Sequence, residues 1–191
     1  MEEILKPLNA ANSSMLAGGA SFSRADRIRR QLWVITWALL AAWTPAPLHR
    51  WRCFLLRAFG ARIGKGVLVY GCVRVWYPAN LTVGDNACLG RRVTCYNQGD
   101  ITIGARAIIS QGAHLCASSH DVSDRHFQLT LRPIQIDADA WVAADAFVGP
   151  GVNIGEGAVL AARGVAFTDL DAWTIYRGNP AQPIKARKWR N

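Results

Sequence analysis

The sequence predicts an all-β fold, a coil of short parallel strands that two helices precede and one loop interrupts. Three observations predict it. Apolar residues recur every six places from Ile63: Ile63, Val69 and Val75; Val83, Leu89 and Cys95; Ile103, Ile109 and Leu115; then Ile136, Val142, Val148, Ile154 and Leu160. A small or β-branched residue usually follows four places later, as at Val67, Ala87, Ala113, Ser119, Ala146 and Ala158. Glycines in IGKG, VGDN, IGAR and IGEG stand where such a chain must turn. A period of six is neither the 3.6 of a helix nor the 2 of one long strand; short strands joined by tight corners produce it.

In chain order, residues 1–20 are rich in Ser, Ala, Asn and Gly and read as a flexible lead-in. Over 21–60 the pattern turns helical. Arg27 to Trp43 forms one helix ended by TPAP, and Leu48, Trp51, Leu55, Ala58 and Phe59 mark a second that stops at Gly60. The coil occupies 61–176, with a loop at 121–133 where the six-residue step fails. Residues 177–191 form a basic tail. The apolar run from Leu32 to Trp43 is shorter than the roughly 18 residues a membrane span needs.

The chain has 191 residues, 51% of them apolar, and a net charge of +9. Seven arginines lie between Arg24 and Arg57 against one acid, Asp26, so an anionic partner is expected. No helix-turn-helix, zinc-finger or RNP-type pattern accompanies the charge, which argues against nucleic acid. Five cysteines without a C-x-x-C pair read as reduced packing residues of a cytosolic protein. Glu2 and Glu3, with no early apolar run, do not suit a secretory signal.

Alternation along each strand turns the repeat into a map. If the first and fifth positions point inward, the sixth points outward. Sixth positions include Arg74, Asn80, Asp100 and Asn153, as an outer surface requires, and also His114, His120, Trp141 and Phe147. An outward Trp or Phe needs cover from a neighbouring subunit or a cofactor, unless Trp141 packs under the loop. His120 ends the regular run at the root of the loop, His114 reads as a surface residue and His126 as a solvated loop residue. The acids of HDVSD either orient an imidazole and bind hydroxyls or serve the turn.

The segment CASSHDVSDRHF with PIQIDADAWVAADAFVGPGVNIGEGAVLAARGVAF resembles the hexapeptide-repeat acetyltransferases, in particular the colanic-acid exopolysaccharide branch related to galactoside and maltose acetyltransferases. The resemblance runs from Ile63 to about Lys185. It implies a left-handed parallel β-helix, a homotrimer and an acetyl-CoA-dependent O-acetyltransferase. It sets His120 in the place of the catalytic base and Asn97 near the acceptor; Asp121 and Asp124 of the loop are the further candidates for acceptor contact. It sets Trp141, Ala144 and Ala162 along the pantetheine arm of the donor, with Pro180 near adenine and Lys185 and Arg187 near phosphate. Where relatives commonly carry Thr-Lys, this chain has Phe167-Thr168, so one cation is missing on the phosphate side. Four histidines at these spacings do not supply the zinc set of the related carbonic anhydrases, and no metal is expected.

The implied acceptor is a sugar hydroxyl, on a free, nucleotide-linked or lipid-linked sugar. Alternatives are a small non-polysaccharide acceptor and a trimeric scaffold without activity. The arginine- and tryptophan-rich helices serve as a cap for the first coil, as a peripheral membrane contact at the inner face of the membrane, or as both.

Overall fold

The computed structural model describes residues 5–13 and 18–189. Its body is a three-faced coil. The first face stacks the strands Arg62–Ile63, Leu81–Val83, Ile101–Ile103, Ile134–Ile136 and Asn153–Ile154, all parallel. The second stacks Leu68–Val69, Cys88–Leu89, Ile108–Ile109, Trp141–Val142, Val159–Leu160 and Thr174–Arg177. The third stacks Arg74–Val75, Thr94–Tyr96, His114–Cys116, Phe147–Val148 and Val165–Ala166. This is the parallel β-helix of the expected class.

The six-residue columns fill the centre. Val69, Leu89, Ile109, Val142 and Leu160 are buried on the second face, and Cys95, Leu115 and Val148 on the third. Burial of one such aliphatic side chain contributes about 1.5–3 kcal/mol, so the stack itself holds the coil. The first face carries a second inward column, Leu81, Ile101 and Ile134, that the six-residue step does not reveal. Burial pushes the Cys95 thiol up to about 12 and the Cys53 thiol upward as well, keeping both neutral. All five cysteines are free.

Two kinds of corner glycine do different work. Gly66, Gly112 and Gly157 adopt the left-handed conformation the corner needs, a place that Asn86, Arg92 and Arg106 take in other coils. Gly84 has an ordinary φ; it is needed because the next coil lies directly above. A Cβ there would stand 2.6 Å from the backbone nitrogen of Ala105.

Three helices, α1 (Ala10–Ser13), α2 (Arg24–Leu40) and α3 (His49–Ala58), lie at the start of the coil. Ser23 caps α2, its hydroxyl accepting from the Asp26 N–H. α2 rests on the first coil through Trp33 and Trp37, whose indole N–H groups donate to the carbonyls of Val75 (2.7 Å) and Gly71 (3.1 Å). α3 turns Cys53, Leu55 and Leu56 inward against the first strands. Arg52, one of the seven arginines of this region, is fully buried; it donates to the carbonyls of Val69, Pro45 and Ala46 and ties the α2–α3 connection to the coil.

The segment read as a flexible lead-in is anchored where it is described. Leu5 and Ala10 are buried, Leu5 in a cluster with Phe22, Tyr77 and Leu129, and the Gln128 side chain bonds to Ala10 N–H and Leu8 carbonyl. Residues 1–4 and 14–17 of that segment, and 190–191 of the tail, lie outside the described residues. At the other end the basic tail forms the strand Gln182–Ala186, which runs back antiparallel along Thr174–Arg177 and covers the last coil.

Because Gly84 admits no Cβ without moving backbone, Gly84→Ala is expected to lower folding stability by about 1–3 kcal/mol, read as a shift in the denaturant midpoint.

Candidate functional site

The coil breaks after the strand His114–Cys116. The chain leaves as an antiparallel hairpin, Ser118–His120 against Leu129–Leu131, with His120 opposite Leu129. The continuing six-residue phase therefore fails here: Ser119, expected inward, is exposed, while Ala117 and Ser118 are buried. His120 owes its direction to the hairpin and not to the coil. The tip is held by Asx turns, with Asp121 Oδ1 accepting from Ser123 N–H and Asp124 Oδ1 from His126 N–H, both at 2.9 Å. Each acid thus has turn work, with its second oxygen left over.

The His120 ring stacks on Phe127 at 4.3 Å and 10°, and its Nδ1 lies 2.8 Å from the Phe127 carbonyl. A carbonyl only accepts, so Nδ1 carries the proton, and in the neutral ring Nε2 keeps the lone pair. That is the tautomer of a proton acceptor. His126, at the hairpin tip, is half-buried. His114 is not a free surface residue. It is half-buried on the third face between Tyr96 and Phe147, its Nε2 has no partner among the described residues, and burial lowers its pKa.

Asn97 is a correction. Its side chain is 0% exposed and fully engaged: Oδ1 accepts from the N–H groups of Trp76 (3.0 Å) and Tyr77 (3.1 Å), and Nδ2 donates to the Tyr77 carbonyl (2.6 Å). Asn80, expected on the outer surface, is buried beside it and donates to the Gln98 carbonyl at 2.7 Å. Both belong to the corner between the third and first faces, where the first two coils carry extra residues and the added backbone groups need partners. An acceptor cannot reach the Asn97 amide.

The donor-side residues fall into two groups. Ala144 and Ala162 lie at the corner between the second and third faces in successive coils, and neither N–H has an acceptor among the described residues. Pro180 joins them, in the turn whose Gly178 carbonyl and Ala181 N–H bond to Val165. Trp141 stands on the adjacent second face, 43% exposed, with its indole N–H donating to Ser110 Oγ. Arg187 is elsewhere: it donates to the carbonyls of Asp139 and Gly157, both at 2.8 Å, at the corner between the first and second faces. Its guanidinium also packs over Trp189, so it is not a spare phosphate ligand here. Lys185 is exposed on the last strand, opposite Ile175. Among the described residues no three His, Cys, Asp or Glu side chains converge as a metal site.

The sequence reading missed an aromatic file along the third face. Trp76, Tyr96, His114, Phe147 and Phe167 follow one another at 5.5–6.4 Å between ring centres, and Phe167 is exposed. Near its start a hollow of about 400 Å³ is lined by Phe22, Arg30, Trp76, Tyr96 and Gln98. Gln98 Oε1 and Arg30 Nε are buried there without a partner among the described residues. Sixth positions alone could not find this hollow, because α2 forms one of its walls.

No family model matches the chain. Over 166 residues it is 47% identical to a protein of Escherichia coli assigned as the colanic acid biosynthesis acetyltransferase WcaF, covering 87% of this chain and 91% of that one. The chain belongs to the WcaF family of hexapeptide-repeat acetyltransferases. Two solved structures share this acetyltransferase's fold. A hexapeptide-repeat acetyltransferase of Vibrio cholerae, solved with acetyl coenzyme A, covers 95% of this chain and 100% of its own at 21% identity and a TM-score of 0.78. A galactoside acetyltransferase in complex with coenzyme A covers 95% and 92% at 18% identity and a TM-score of 0.72.

If Asn97 secures the corner, Asn97→Ala leaves the buried Tyr77 N–H without an acceptor, at a cost of about 1–3 kcal/mol unless water reaches it, while the Trp76 N–H keeps the Cys95 carbonyl and the Tyr77 carbonyl keeps the Asn80 N–H. Denaturation should therefore show a loss of about 1–3 kcal/mol; an unchanged midpoint would show that the corner does not depend on Asn97.

Proposed function

We propose that this acetyltransferase moves an acetyl group from acetyl-CoA to a sugar hydroxyl in exopolysaccharide biosynthesis, with His120 as general base. The observation that carries the reading is the contact of His120 Nδ1 with the Phe127 carbonyl, which leaves Nε2 of the neutral ring to accept a proton, on a hairpin at the break in the coil. The 47% identity to WcaF supports the reaction class and the polysaccharide setting. Nε2 takes the hydroxyl proton as the oxygen attacks the thioester carbonyl. The C–S bond then breaks, and the departing thiolate takes the proton from the imidazolium. No covalent enzyme intermediate is needed, because a thiolate with a parent pKa of about 8.5 leaves readily.

The donor lies along the corner of Ala144, Ala162 and Pro180. The free N–H groups suit the amides of a pantetheine arm, Trp141 gives it an apolar flank, and Lys185 is the remaining cation for the phosphates. Arg187 would have to give up two carbonyls to join, and Phe167-Thr168 adds no charge. Asp121 and Asp124 keep one oxygen each for an acceptor. The hollow over Trp76 and Tyr96, with Gln98 in its wall, sets a polar residue beside aromatic faces, the chemistry that holds a sugar ring.

Topology supports a trimer. In one chain His120 leaves at the corner between the third and first faces, and Leu129 of its hairpin packs back on Tyr77 of the first coil. The donor corner lies across the third face and further along the coil. A base from one protomer and a donor corner from its neighbour make a complete site, and the aromatic file on the intervening face is the surface to be covered.

His120→Ala is expected to lower kcat for thiol release about 10²- to 10⁴-fold while leaving the KM for acetyl-CoA little changed. Release unaffected by the substitution would remove His120 from the reaction, and no release with any sugar would favour a scaffold. Trp141→Ala should instead raise the KM for acetyl-CoA roughly three- to tenfold with kcat nearly preserved, measured by the same assay.

A further inference from the structure

We propose that the outward side of α2, with Trp43, Trp51 and Phe54, docks this protein on an anionic lipid bilayer. α2 needs only a narrow strip to hold the coil, through the buried Trp33 and Trp37. The remainder is apolar and exposed: Leu32, Ile35 and Leu39 on the helix, Trp43 just beyond it, and Trp51 and Phe54 on α3. Leu39 is 65% and Trp43 73% exposed. A contiguous face of this kind on a soluble surface needs an occupant.

Its chemistry selects a lipid surface. Trp43 donates its indole N–H to the Leu39 carbonyl and Trp51 to the Leu40 carbonyl, both at 2.7 Å. Neither ring would therefore bury an unpaired donor on entering an apolar boundary. Arg24, Arg27 and Arg50 are exposed at the rim, and Asp26 is the one acid between Arg24 and Arg57. Beside Phe54, a hollow of about 450 Å³ is lined by Arg50 and Lys65, with Arg57 held in its wall by the Ile63 and Gly64 carbonyls. A second copy of this face would bring the same arginines against one another; an anionic headgroup layer neutralises them. No helix among the described residues is long and apolar enough to cross a membrane, and α2, at 17 residues, lies on the surface with its apolar side at the headgroup boundary.

Sedimentation of the full chain with vesicles tests this. With phosphatidylcholine containing phosphatidylglycerol the protein should pellet, and with phosphatidylcholine alone, or at high salt, it should pellet far less. The double substitution Leu39→Glu, Trp43→Glu should lower partitioning at least about tenfold. The triple substitution Arg24→Gln, Arg27→Gln, Arg50→Gln, which touches no core residue, should remove the preference for anionic vesicles and decides the matter if the first variant fails to fold. Subunit number, measured by light scattering, should be the same for all. Wild-type protein that stays in the supernatant with anionic vesicles overturns the proposal. So do variants that pellet like wild type, or a Leu39→Glu, Trp43→Glu protein with fewer subunits, which would assign the face to a neighbouring copy.

Discussion

Parallel stacking of short strands fixes everything else in this molecule. The strands pair with the coil above and below, Arg62 to Thr82 to Thr102 and on to Gln135 and Asn153, so a residue's place within its coil decides which face or corner it occupies. The approach is close enough that Gly84 and Gly104 leave no room for a Cβ. Nothing in the stack can rotate to bring a side chain from one face to the next. Function must therefore be placed at corners, on open faces, or on a segment that leaves the coil. The proposed site uses all three: the donor residues at a corner, Trp141 on a face and His120 on the hairpin.

A stack of this kind has two ends with unpaired backbone, and the chain closes each differently. At the last coil, Gln182–Ala186 supplies an antiparallel strand. At the first coil, side chains do the work. Trp33, Trp37, His49 and Arg52 reach the carbonyls of Val75, Gly71 and Val69. Burial lowers the Arg52 pKa, but four backbone carbonyls and the Thr44 hydroxyl surround its guanidinium, so the charge is solvated by dipoles without a carboxylate.

The inward columns were legible because burial imposes its period on every coil: Val69, Leu89, Ile109, Val142 and Leu160 could be assigned from spacing alone. α2 and α3 were legible for the same reason at helical spacing. What escaped was whatever departs from the period. Asn80 and Asn97 lie where extra residues widen a corner, and a polar side chain that satisfies buried backbone looks in sequence like one that faces solvent. Ser119 and His120 were assigned by continuing a phase that had already ended at Cys116, so the outward direction of His120 came from the wrong element. Leu5 and Ala10 are anchored by partners far along the chain, Tyr77 and Leu129 for one and Gln128 for the other, which no local pattern in that stretch reveals. Winding direction came from family resemblance, since ordinary parallel crossovers are right-handed.

The arginines of the helical segment show how one short region can serve two surfaces. Arg30 packs over Trp76, Arg52 holds the connection and Arg57 donates to the Ile63 and Gly64 carbonyls, so these three are spent within the fold. Arg24, Arg27 and Arg50 are turned outward. Capping the coil explains the inward strip of α2 and the first set; it places no demand on the opposite side, where lysine, glutamate or glutamine would serve a solvated helix as well. Leucine, isoleucine and tryptophan there, rimmed by bases, are what a helix shows when its second neighbour is also apolar and negatively charged at the edge.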